Sequence, residues 1–262
     1  AAKWGSYYTL EGESEVLVAA GRPVMPRASS SVNVADSIAH GALLIGGTFT
    51  EVVNFDPMVS LIVTEETYLD EEFDYPDRTW YPAQLGSINR FLSIEGEMRE
   101  RLVVVPGQFR ATTDAHPTTG IQRLYTALDF EVYHAPFTAT DFVPPSIWAV
   151  RAISTTESLG FRVFVNDDEG AVSRVVVLYR VGDELAWRKA ELTYVGEIAG
   201  GIGVAQVFVE PVTSPIHYFV QAVDDSGNVI LDLDHGMPYT KVIEGGEVAP
   251  TKIYLPVVLR GA

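Results

Sequence analysis

Nowhere in its 262 residues does this chain carry a long stripe of apolar residues at i, i+3, i+4 and i+7. That absence limits its fold more than any other feature, because a helix needs such a stripe to bury one face. Four- to ten-residue runs rich in Val, Ile, Phe and Tyr stand in its place, bounded by Gly, Pro, Asn and Asp, which is the signature of strands and turns. The clearest are FRVFVNDDEGAVSRVVVLYRVGDELAW (161–187) and IHYFVQAVDDSGNV (216–229). Strands are expected over 161–165, 175–179, 186–192, 206–209 and 218–223. Turns are expected at 166–170 and 224–228, where Asn and Asp bond their own backbone and Gly supplies positive φ. The run 175–179 is apolar on both faces, so something beyond its own sandwich is expected to cover one of them, with the first half of the chain the preferred candidate. Trp187 is expected to be a large core side chain.

In the first half, the best strand is QRLYTALDFEVY (122–133), which places Leu124, Thr126, Leu128, Phe130 and Val132 on one face. RLVVVP (101–106) is a continuous apolar run, expected to be covered on both faces. Shorter strands are expected near 15–19, 42–45 and 59–64. The segment HAPFTATDFVPPS (134–146) reads as a connection stiffened by Pro136, Pro144 and Pro145, which cannot donate to a sheet ladder. The expected organisation is all-β, with two β-sandwich domains over 1–141 and 142–244 and a tail strand over 245–262.

Lys and Arg total 18 against 35 Asp and Glu, a formal net charge of −17. That field repels nucleic acid and anionic membranes, and leaves cations, cationic surfaces and uncharged polymers such as glycans open as partners. The absence of Cys removes disulfides, a thiol nucleophile and thiolate metal sites. The opening AAKWGSYYTL has neither a basic n-region nor an apolar h-region. The longest apolar stretch of the tail, Ile253 to Leu259 with Pro256 inside it, is far short of a membrane-spanning helix, and no membrane insertion is expected. A mature or excised piece of a longer polypeptide is the expectation.

Two resemblances rest on these segments. The stretch VNDDEGAVSRVVVLYR, LAWRKAEL and HYFVQAVDDSGNV resembles the Ig-like or fibronectin-type modules of exported bacterial proteins. Those modules carry an acidic turn, a Val-rich strand ending in Tyr, a Trp after the next turn and a closing YxxxAxDxxGN. The first half resembles the β-rich propeptide domain of gingipain-type (C25) cysteine peptidases. It does so through GRPVMP (21–26), DYPDRTWYP (74–82), RLVVVPGQFR (101–110) and GIQRLYTALDFEVYH (120–134). The tail TKIYLPVVLRGA (251–262) is similar to the YLP-type ending of large exported proteins. These resemblances imply an extracellular or cell-surface, peptidase-associated bacterial region. In the peptidases a catalytic domain follows the propeptide; here the Ig-like segment follows within about a dozen residues, too few for another domain.

Three groups of residues carry candidate chemistry. The acidic run EETYLDEEFDYPD (65–77) reads first as a solvated loop and second as a collector of Ca²⁺. Asp167 and Asp168 in one turn, with Asp224 and Asp225 in the other, read either as turn-forming residues or as a structural Ca²⁺ site. Tyr75, Trp80 and Tyr81 read either as a plug beneath a Pro-rich loop or as a stacking platform for sugars. The five His residues show no zinc spacing, and no G-x-S-x-G turn is present. No catalytic residue is assigned and no enzymatic activity is expected. The expected function is a non-catalytic accessory or scaffold region contacting other domains of its parent or a surface protein. A glycan-binding or adhesive module is the second reading, and a hydrolase using paired carboxylates is the third.

Overall fold

The computed structural model describes residues 5–12, 14–61, 74–155, 158–198, 201–212 and 214–243. Among the described residues every helix or strand element is a strand, so the chain is all-β. They form two compact units: residues up to Val132 with Asp234–Met237, and Tyr133–Leu233 with the residues from Pro238. Residues 133–141 therefore belong with the second unit. The expected tail strand and most of the acidic run 65–77 lie outside the described residues.

In the first unit, β1 (Val16–Leu17) pairs antiparallel with β2 (Met25–Pro26). The strands β3 (Ala28–Ser31), β4 (Ser37–Phe55), β5 (Gly86–Leu92) and β6 (Met98–Val104) follow. A three-stranded sheet has the order β3-β6-β5. The hairpin partners β7 (Gly107–Ala111) and β8 (Gly120–Pro136) come next, and β8 also pairs with β4. Gly120 is required where it stands, since a Cβ there would lie 2.0 Å from the Arg110 carbonyl oxygen. The expected strand at 42–45 proves to be a short part of the 19-residue β4. The run 101–106 is only half-buried through Val104, not covered on both faces.

The alternation in β8 correctly predicts a strand but not its buried residues. Gln122, Arg123 and Tyr125 are buried, whereas Leu124 and Leu128 are only partly so and Thr126 is exposed. Polar partners explain the reversal. The Arg123 side chain is 1% exposed, and its Nη2 and Nε donate to Glu51 Oε1 at 2.8 and 3.1 Å. Its guanidinium carbon lies 4.0 Å from the Trp80 ring centroid and 4.2 Å from that of Phe49. Tyr125 Oη donates to Gln108 Oε1 at 3.0 Å, and Gln108 donates to the Pro82 carbonyl. A buried charge is tolerable here because it is paired and sits over two ring faces.

The second unit contains β9 (Ser146–Ser154), β10 (Leu159–Asn166), β11 (Val172–Val181) and β12 (Ala186–Ile198). It continues with β13 (Ile202–Val209), β14 (Ile216–Asp224), β15 (Val229–Asp232) and β16 (Tyr239–Lys241). β9 and β13 flank β10, while β12 and β14 flank β11, all antiparallel. β14 carries β15 and then β16 on its other edge. β12 joins the two groups: Arg188–Leu192 pair with β11, and Thr193–Ile198 pair with β13 across a register shift at Tyr194/Gly196.

Alternate residues of both groups meet in one core. Phe161 lies 5.4 Å from Tyr179 and 5.3 Å from Tyr218 between ring centroids, with Val163, Val177 and Val220 around them. The other face of β11 is covered too, since Val176 and Leu178 are fully buried. Trp187 is buried edge-on to Phe219 at 4.9 Å. All five strands expected in this half are present, and the acidic turns fall where the sequence puts them.

Each unit yields a measurable consequence. Phe161→Ala removes a fully buried ring from the second core and is expected to cost about 3–5 kcal/mol in equilibrium denaturation. Arg123→Ala strips Glu51 of its partner and opens space between Phe49 and Trp80, at a cost on the order of 3–5 kcal/mol. Arg123→Met keeps the apolar stem over the rings and is expected to cost less. Equal losses for the two Arg123 variants would show that the stem contributes nothing.

Candidate functional site

Three carboxylates converge in the second unit. Asp141, Asp167 and Asp224 each offer an oxygen, and these oxygens lie within 4.8 Å of one another. They come from three separate segments. Asp141 sits in the non-strand connection before β9, Asp167 directly follows β10, and Asp224 ends β14.

Local turn chemistry sets each side chain. Asp167 Oδ1 accepts from the Glu169 and Gly170 N–H groups at 2.9 and 2.8 Å, an Asx turn after the strand. Asp224 Oδ1 accepts from the Asn228 N–H at 2.8 Å, and its Oδ2 accepts from Asn228 Nδ2 at 2.9 Å. Gly227 closes that turn with φ +85°, which an L side chain adopts only with strain. Asp141 Oδ1 accepts from the Val143 N–H at 2.9 Å. The buried Asn228 amide also donates to the backbone carbonyls of Asp141 and Val143 at 3.4 and 3.5 Å. One side chain thus holds both the Asp224 carboxylate and the connection that carries Asp141.

Electrostatically the arrangement is unbalanced. Asp141 and Asp224 are 8% and 2% exposed, and Asp167 is partly buried. Among the described residues no Lys, Arg or His forms an ion pair with any of the three. Two charges at such separations repel by on the order of 3 kcal/mol at an effective dielectric constant of about 20. Burial pushes the Asp224 carboxyl above its ordinary range. The Asn228 hydrogen bonds hold it down, and the charges of Asp141 and Asp167 push it further up. Asp141 Oδ2 is sealed from solvent and has no hydrogen-bond donor.

The structure thus brings together two of the four turn aspartates considered for Ca²⁺, Asp167 and Asp224. Asp168 and Asp225 are exposed and lie outside the cluster. Asp168 Oδ1 accepts from the Asn166 amide, and the Asp225 carboxylate lies against Gly170. Asp141 is the member that sequence reading missed. Its signal was an Asp in a Pro-stiffened connection, two residues before an N–H that it caps.

The aromatic candidates lie in the first unit. Tyr75 and Trp80 are both 5% exposed, and Tyr81 is partly buried. Tyr75 Oη accepts from Arg22 Nη1 at 2.6 Å, and Arg22 also lies over the Tyr81 ring. Trp80 faces Arg123 and Arg110, at 4.0 and 5.0 Å from its centroid. These side chains plug the unit from within.

A shallow groove of about 450 Å³ lies between residues 143–148 and 230–232 of the second unit. Asp232 is its one carboxylate, and Asp232 Oδ2 accepts from Tyr239 Oη at 2.9 Å.

The charge imbalance makes a prediction in chelator-treated buffer. Asp141→Asn keeps the Oδ1 acceptor for Val143, removes one charge and places an N–H donor where an oxygen stood without one. At neutral pH its melting temperature is expected to exceed that of the parent. A raised Asp224 pKa means that the folded state takes up its proton first as the pH falls. The associated stability is complete below the ordinary Asp value of about 3.9 and lost as pH rises through the raised value. The advantage of Asp141→Asn therefore shrinks as pH falls toward about 4. A gain independent of pH would show that the three carboxylates do not repel one another.

No protein-family model matches this chain, and no characterised protein or solved structure does either.

Proposed function

We propose that this chain is a non-catalytic accessory or scaffold region of a larger exported bacterial protein, with an Ig-like second module. The strand order of the second unit carries the reading. In an Ig-like sandwich the first, second, fourth and fifth strands form one sheet and the third, sixth and seventh the other. Here β9, β10 and β13 form one group and β11, β14 and β15 the other, with β12 as the fourth strand bordering both. Modules of this architecture space and present surfaces, and any chemistry must come from a site built upon them.

The distribution of acidic groups favours the same reading. A hydrolase needs two carboxylates facing substrate with pKa values pushed apart. The converging carboxylates Asp141 and Asp224 are shut away from solvent, and the one groove described above carries a single carboxylate. Burial of Trp80 leaves the sugar-stacking reading without an exposed face at its centre. Phe137, Phe142, Val143 and Trp148 instead expose apolar surface along one stretch of the second unit. Such a strip suits contact with a neighbouring domain of the parent polypeptide. The propeptide-like motifs of the first half make a peptidase domain the partner class to try first.

The test is direct. The full chain, incubated with casein, fluorogenic peptides and nitrophenyl glycosides, is expected to give no turnover above buffer. Turnover that disappears on substitution of a carboxylate would overturn the scaffold reading. Retardation in polysaccharide affinity gels would replace it with a glycan-binding module.

A further inference from the structure

We propose that Asp141, Asp167 and Asp224 form a divalent-cation site, and that the ion it takes is Ca²⁺. The inference goes beyond the scaffold reading and stands or falls separately from it.

The first support is the donor set. All three groups are carboxylates, the hard oxygen ligands that Ca²⁺ prefers, and no thiol or imidazole belongs to the cluster. Their offered oxygens lie within 4.8 Å of one another. Oxygens on opposite sides of one ion with Ca–O bonds of about 2.4 Å are about that far apart. A single ion therefore reaches all three without rearrangement of the backbone, and bidentate contacts and water supply the remaining ligands.

The second support is independent of the clustering. Asp141 is more than nine-tenths buried; one oxygen is satisfied by the Val143 N–H, and the other is sealed from solvent without any donor. A buried acceptor left in that state costs free energy. A cation among the three carboxylates satisfies it, and it also supplies the positive charge that no side chain among the described residues provides by ion pairing with them.

Mg²⁺ fits less well. It keeps several of its waters and is usually held by one or two carboxylates, whereas this site offers three from a turn-rich frame. An ion here ties the connection bearing Asp141 to the turns after β10 and β14. It thereby fastens the stretch leading into β9 onto the end of the second unit.

The experiment uses the full chain, stripped with EDTA, desalted and titrated with CaCl₂ by calorimetry and thermal unfolding. Wild type is expected to bind with Kd of roughly 10⁻⁵–10⁻³ M and to melt at higher temperature as Ca²⁺ rises. Asp141→Asn and Asp167→Asn, each retaining its backbone-capping oxygen, are expected to weaken binding by about tenfold or more. Asp168→Asn and Asp225→Asn are expected to leave the response intact, and Mg²⁺ is expected to bind more weakly than Ca²⁺. Chymotryptic cleavage at the exposed Phe137 and Phe142 is expected to slow when Ca²⁺ is present. No melting shift up to about 10 mM Ca²⁺, well above the weakest expected Kd, would overturn the proposal. So would a Ca²⁺ response that survives Asp141→Asn, because the ion would then be bound elsewhere on this acidic chain.

Discussion

The pairing of β11 with β14 is the constraint on which the second unit depends. Val175, Val177 and Tyr179 stand opposite Ala222, Val220 and Tyr218, and all six lie in the same core. A slip of one residue would turn every one of them to the opposite face. That register also fixes where β14 ends, and Asp224 is its last residue. The core therefore determines the position of a carboxylate that contributes nothing to it. Asn228 extends the effect by fastening the Asp141 connection to the same turn.

The two units tolerate buried charge in different ways. In the first, Arg123 has a carboxylate partner and two aromatic faces, so it is buried and paired. In the second, Asp141 and Asp224 are buried among like charges, with hydrogen bonds from backbone and amide groups and no ion pair among the described residues. A paired charge is explained by packing alone; a like-charged, buried set calls for a proton or an added ion. The acidic cluster, and not the Arg123 centre, is therefore where a ligand is expected.

Much of the fold was legible in the sequence. Strands β10, β11, β12, β13 and β14 follow from alternation and Val-rich runs, and both acidic turns follow from Asn, Asp and Gly chemistry. The edge strands β9, β15 and β16 were not legible, because they are short or half-buried and lack sharp alternation. β8 shows why pattern alone misplaces a core. Its apolar residues alternate, yet Gln122, Arg123 and Tyr125 are the ones buried, because Glu51, far away in sequence, and Gln108, on the partner strand of the hairpin, satisfy two of them.

What the sequence determined by itself was the all-β class, the central strands of the second half, and four turn aspartates, Asp167, Asp168, Asp224 and Asp225, that read either as turn formers or as a Ca²⁺ site. Tertiary structure decided which aspartates meet. Asp168 and Asp225 adjoin Asp167 and Asp224 in the chain and are excluded, because neighbouring side chains in these turns point different ways. Asp141 is remote in the chain and is included, because Asn228 holds its backbone against the β14 turn. Tertiary structure also enclosed Trp80 beneath two guanidinium groups. Burial and convergence come from contacts between distant residues, and local pattern records only the propensity of each segment to make them.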